Sequence, residues 1–180
     1  MDLKLIVMFV VFAGILGYVL LMPGPAAVPT ATVAPGAAPA VDPSYKPAVD
    51  LKFTALDGTP VDLATMKGKV VLIDFWATWC PPCRGEVPNV VAAYEAYHKR
   101  GFEVIGISLD QDDGALRSFT AQNGMAWPQY FDGRGWDNAM AQKFDIHSIP
   151  AMWLIGKDGQ IITTNARENL AGYVESALGR

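Results

Sequence analysis

The stretch VVLIDFWATWCPPCRGEVP, residues 70–88, contains both cysteines of a 180-residue chain and places nothing but two prolines between them. Its first seven residues form a short run that is apolar but for Asp74 and rich in β-branched side chains, the pattern of a strand buried on both faces. The residues after Cys80 favour a helix, because a proline tolerates the first helical turn, where its missing N–H would have no helical partner. A buried strand, a short turn and a helix therefore place Cys80 at a helix N-terminus, where backbone N–H groups and the helix dipole favour a thiolate. Cys83 follows three residues on, on the same helix face one turn deeper.

Three chemistries could use such a pair. As a structural staple the bridge would be weak, because a loop this short is worth only about 2 kcal/mol in the chain-entropy model. A structural zinc site needs four ligands, and beyond this pair the chain offers only His98 and His147, far apart in sequence. Reversible thiol–disulfide exchange needs one reachable thiolate and a second thiol to resolve the mixed disulfide, and both are present. Cys80, on an exposed turn, is the expected nucleophile and Cys83 the resolving thiol, with a redox disulfide Cys80–Cys83. Pro81 and Pro82 withhold two N–H donors from the Cys80 thiolate, which predicts a reducing pair.

Two acids accompany the thiols. Asp74 interrupts an apolar strand, and burying a lone carboxylate raises its pKa, so it suits a base that accepts the Cys83 proton. A salt bridge from Asp74 to Lys69 is the structural alternative. Glu86 lies three residues beyond Cys83 on the same helix face and is expected to tune the same thiols, or else to be an ordinary exposed helical glutamate. Pro150 marks a strand start, since proline cannot occupy a central ladder, and a cis Ile149–Pro150 bond fits that loop.

The rest of the chain is read outward from this motif. LKFTALDGTPVDL predicts a β-hairpin about Asp57-Gly58, FEVIGISL a second buried strand, and residues 82–100 a helix broken or kinked at Pro88. Further helices are expected over 114–123, 138–144 and 168–178, with a short strand at 129–131 and a hairpin about Asp158-Gly159. Strands alternating with helices, and hairpins at both ends, imply an α/β domain over residues 48–180 with a mixed sheet flanked by helices. Trp127, Trp136 and Trp153 are read as core or cleft packing.

Residues 1–47 differ in character. Leu5 to Met22 carry no charge and, as a helix, would span roughly 27 Å, the thickness of a bilayer core. Residues 1–22 are expected to be a membrane anchor or an uncleaved signal sequence, with a cleaved signal peptide as the alternative. Lys4 favours a cytoplasmic amino terminus and an extracytoplasmic domain. Residues 23–47 are rich in Pro and Ala and read as a semi-rigid tether. A net charge of −4 and a pI near 5.0 argue against nucleic acid as a partner.

DFWATWCPPCRGEVP resembles the active-site signature of the thioredoxin superfamily, and within it the membrane-anchored TlpA/ResA-like thiol-disulfide oxidoreductases. Ile149-Pro150 is similar to that family's cis-proline loop, and residues 102–131 resemble the βα insert that separates this subfamily from plain thioredoxin. The resemblance implies a thioredoxin-like fold with an N-terminal β-hairpin and a central βα insert, preceded by one transmembrane helix. It implies Asp74 at the buried-acid position, Glu86 as an active-site glutamate, and substrate contact by Trp79, Pro81, Ile149 and Pro150. It also implies reduction of client disulfides in the periplasm, in cytochrome c or copper-site maturation, with electrons from a membrane thiol reductase and no cofactor or metal. The competing readings are a peroxiredoxin-type thiol peroxidase, with Thr78 near its cysteine, a copper metallochaperone using both thiols and His147, and a docking module without turnover.

Overall fold

The computed structural model describes residues 48–179. Strand β3 (Val70–Trp76) is buried at every position, as its apolar run requires. It lies at the centre of a five-stranded sheet. On one side β3 runs parallel to β4 (Phe102–Ser108), which in turn runs parallel to the short β5 (Gln129–Tyr130). On the other side β6 (Ala151–Ile155) is antiparallel to β3 and pairs with β7 (Ile161–Thr163). The sheet is mixed, with hairpins where Asp-Gly pairs predicted them. A separate antiparallel hairpin of β1 (Lys52–Thr54) and β2 (Pro60–Asp62) turns at Gly58, whose φ of 89° suits a residue without a Cβ.

Helix α1 (Pro81–Tyr97) connects β3 to β4; α2 (Asp113–Gln122), α3 (Ala139–Lys143) and α4 (Leu170–Gly179) follow. Side chains alternate along β3, so Asp74 and Trp76 face one way and Phe75 the other. Trp76 packs on Phe119 of α2, while Phe75 packs on Phe144 just past α3, which places helices on both faces. The expected α/β domain, a mixed sheet flanked by helices with a hairpin before it, is thereby met.

Three boundaries differ from expectation. The first helix is not broken at Pro88 but runs on through it to Tyr97. Proline there forfeits one bond to the Arg84 carbonyl, and the buried row Cys83, Val87, Val90 and Ala93 holds both halves against the sheet. Its expected last residues, His98–Arg100, form a 3₁₀ turn closed by Gly101 at φ 99°. The final helix starts at Leu170, because Ala166–Glu168 form a 3₁₀ turn of their own.

One crossing ties the inserted strand to the core. Trp76 Nε1 donates to Gln129 Oε1 at 3.0 Å, and the glutamine reaches it by passing over Gly106, where any Cβ would collide with the Gln129 amide. The expected anchor (1–22) and tether (23–47) lie outside the described residues. Among the described residues no helix is long and apolar enough to cross a membrane.

Candidate active site

Cys80 is the N-cap of α1, with extended backbone angles (φ −93°, ψ 103°), and Pro81 and Pro82 occupy the first two helical positions. An N-cap side chain normally accepts from the N–H of the second or third helical residue. Pro82 removes the first of these donors, and the other is used: Cys83 N–H donates to Cys80 Sγ at 3.2 Å. Cys80 and Cys83 are joined as a disulfide. The expectation of an exposed Cys80 is corrected: in the disulfide it is 4% exposed and Cys83 2%, because the turn packs against the cis-proline loop. What separates the two sulfurs is position on the helix, cap against interior.

That loop contains a cis Ile149–Pro150 bond, and the Ile149 carbonyl oxygen lies 3.9 Å from Cys80 Sγ. Pro81 is exposed on the helix start and Pro150 half-buried beside the disulfide's neighbour Ile149. The loop and the N-cap thus meet at Cys80, with Trp79 the residue before it.

Asp74 is buried, and its Oδ1 has no hydrogen-bond partner. Burial, reinforced by the negative charge of Glu86, pushes its carboxyl up to about 7. The salt bridge that could have explained Asp74 is not formed, since Lys69 Nζ instead meets Glu103 at 2.7 Å. Glu86 is no simple exposed glutamate either. It accepts from Arg167 Nε at 2.8 Å and from Asn89 Nδ2 at 3.0 Å. Partial burial pushes its pKa up, but the bonds from Asn89 and Arg167 and the guanidinium charge outweigh that and hold it below the ordinary value. Glu86, on the helix, is therefore kept charged, and that charge helps keep Asp74 protonated.

A third carboxylate, Asp110, was not foreseen. Asp110, buried just past the end of β4, accepts from the Thr78 backbone N–H at 3.1 Å and from Thr78 Oγ1 at 2.6 Å. Ser108 Oγ donates to its other oxygen at 2.7 Å. The network fixes the turn two residues before the nucleophile, and it engages the Thr78 hydroxyl that a peroxidatic reading would use. The available signal was position: Ser108-Leu-Asp110 closes a parallel strand beside the one carrying the motif, where site residues of α/β sheets gather.

The tryptophans divide. Trp127 is buried and Trp153 packs on Phe75 and Phe144, as core readings require. Trp136 is not core: it is 44% exposed, with its ring centroid 6.2 Å from that of Trp79, itself 50% exposed. His147, the third ligand of the copper reading, is exposed and pairs with Asp145 at 2.8 Å. Among the described residues no group of three or more His, Cys, Asp or Glu could hold a metal ion.

The model of the Redoxin family matches residues 34–178. The chain is 34% identical over 134 residues to the thiol-disulfide oxidoreductase ResA of Bacillus anthracis, covering 72% of this chain and 76% of that protein. Among solved structures, the thioredoxin domain of a thiol-disulfide oxidoreductase from Bacteroides vulgatus superposes with a TM-score of 0.64 at 27% identity, over 73% of this chain and 95% of that one. A secreted Mycobacterium tuberculosis disulfide oxidoreductase homologous to DsbE of E. coli superposes with a TM-score of 0.61 at 26% identity, over 71% and 96%. With a cysteine-capped helix, a joined Cys80–Cys83 pair and a cis-proline loop beside it, the chain belongs to the Redoxin family and is a ResA-like thiol-disulfide oxidoreductase of the thioredoxin superfamily.

Proposed function

We infer that the protein reduces disulfides of client proteins on the extracytoplasmic side of a bacterial membrane. The observation that carries this reading is the donor set at Cys80. Its sulfur receives one helical N–H, from Cys83, while Pro81 and Pro82 supply none. A thiolate with few donors is stabilised little, which makes the reduced pair a willing electron donor.

The cycle balances as follows. The Cys80 thiolate attacks one client sulfur; a Cys80–client bond forms, the client S–S bond breaks, and the second client sulfur leaves as a thiolate that takes a proton from water. Cys83 then gives its proton to the Asp74 carboxylate and attacks Cys80 Sγ, expelling the first client sulfur. Two electrons pass to the client and the pair ends as the disulfide found here. An acid whose pKa lies near 7 can both take and return that proton at neutral pH.

Recharging requires a dithiol reductant outside the cytoplasm, and a membrane thiol reductase fills that role. Residues 1–22 would anchor the chain and 23–47 hold the domain off the bilayer, with maturation clients of cytochrome c or copper sites as the candidates implied by kinship. The equilibrium potential of Cys80–Cys83, titrated against glutathione or dithiothreitol, tests the direction. A value well below about −200 mV supports reduction, and one near −120 mV makes the protein an oxidant and overturns the reading. Cys83→Ser should then accumulate mixed disulfides through Cys80; finding none in membrane extracts would remove protein clients.

A further inference from the structure

We propose that Trp79 and Trp136 form a preorganised aromatic platform that selects client segments carrying an apolar or aromatic side chain within about three residues of the reacting cysteine. The inference rests on the reading that clients are proteins, and deepens it to the chemistry of the segment recognised.

Both indoles are large, exposed and in contact with each other, and Trp79 immediately precedes the nucleophile. Exposed tryptophan is unfavourable in water and is the residue most enriched where partners bind. Neither ring is a loose end. Trp79 Nε1 donates to the Leu109 carbonyl at 3.2 Å. Trp136 sits in the 3₁₀ turn Gly135–Asp137, whose ends are pinned by buried Asn138, donating to the Ser108 carbonyl at 2.9 Å, and by Asp132, accepting from Arg134 N–H at 3.1 Å. Gln142 Nε2 also holds the Trp136 carbonyl at 2.9 Å. Gly135 is buried with φ 60°, and a Cβ there would press within 3.3 Å of the Gln111 side chain.

The two anchors converge. Ser108 receives Asn138 on its carbonyl and gives its hydroxyl to Asp110, which holds Thr78, so the strand end 108–110 references both rings to the disulfide. Such rigidity lowers the ordering cost when a partner arrives.

The occupant follows from continuity with the exchange site. A client sulfur must reach Cys80 Sγ, which is nearly enclosed by its own turn and the Ile149 carbonyl. The chain flanking that sulfur has one side against the Ile149–Pro150 loop and the other over Trp79. At about 3.3 Å per residue, an extended segment covers the 6.2 Å between the indoles in two residues, so a neighbour of the client cysteine lies on Trp136.

The test uses two synthetic peptides, each with one cysteine joined to glutathione, differing only in leucine or serine at the flanking positions. Reduced full-length protein in detergent should react with the leucine peptide about tenfold faster, a ratio in keeping with one well-placed anchor. Trp136→Ala should bring that ratio near one, and Trp136→Phe should keep most of it. Because the readout is a ratio within one preparation, loss of folded protein cancels. A wild-type ratio near one, or a ratio that survives Trp136→Ala, overturns the platform while leaving client reduction standing. Failure of wild-type protein to reduce either peptide removes the client reading, and the platform with it.

Discussion

Replacing Asp74 with asparagine should stabilise the oxidised protein more the higher the pH. The native carboxyl titrates at about 7, against 3.8 for the ordinary group, because it is buried without a partner for Oδ1 and lies in the field of Glu86. Below about pH 4 the group is protonated in both native and unfolded chains, and its titration adds nothing. Between pH 4 and 7 the unfolded chain loses this proton while the native one retains it, so the native state binds more protons and stability falls as pH rises. At about 1.4 kcal/mol per unit, a shift of roughly three units gives a loss on the order of 4 kcal/mol that is complete by pH 8. Asparagine does not titrate and escapes this loss. It also buries an amide of its own, at a cost that is the same at every pH, so the quantity to read is the change in ΔΔG between pH 4 and pH 8. Urea denaturation of the two oxidised proteins at both pH values measures it, and with a slope of about 2 kcal/mol/M the midpoint difference should move by about 2 M. A change below about 1 kcal/mol would show that native Asp74 titrates in the ordinary carboxylate range, where it is too weak a base for a thiol proton, and the proton-acceptor role would lose its basis.

Other substitutions probe the neighbouring contacts. Pro82→Ala restores the N–H of the second helical position, the alternative N-cap donor, and should make the pair more oxidising by about 30 mV if the new bond to the thiolate is worth about 1.4 kcal/mol, read by glutathione titration. Glu86→Gln removes the charge that raises Asp74 and should move the Asp74 titration down, whereas Arg167→Ala, which leaves that charge uncompensated, should move it up; carboxyl ¹³C shifts report both. Thr78→Val deletes the 2.6 Å bond to Asp110 and should cost about 1–3 kcal/mol in urea, as for removing one partner of a buried hydrogen bond.

Much of this was legible in sequence because period and position carried it. A short apolar run interrupted only by Asp74 read as a fully buried strand, Asp-Gly pairs located two turns, and the CPPC spacing placed Cys80 on a helix start. Asp74 stood out as the one charge in that run. What escaped depended on long-range contact. Asp110 looks like any acid after a strand until Thr78, 32 residues away, is seen to donate to it. Trp136 shares its composition with buried Trp127, and only the pinned turn around it sends it outward. The exposure of Cys80 was misjudged because the loop that covers it comes 69 residues later. Of the break or kink expected at Pro88, the break does not occur, since a row of buried side chains on both sides of it outweighs one missing hydrogen bond.

The passage of Gln129 over Gly106 to Trp76 restricts how such a chain could change over time. A side chain at 106 would expel the glutamine, and an expelled glutamine would strand the indole N–H, so the three positions behave as one inheritable unit. Anyone transplanting the inserted β5 arm onto a simpler scaffold must move the glycine and the tryptophan with it, for the arm's docking point is written partly into the strands that receive it.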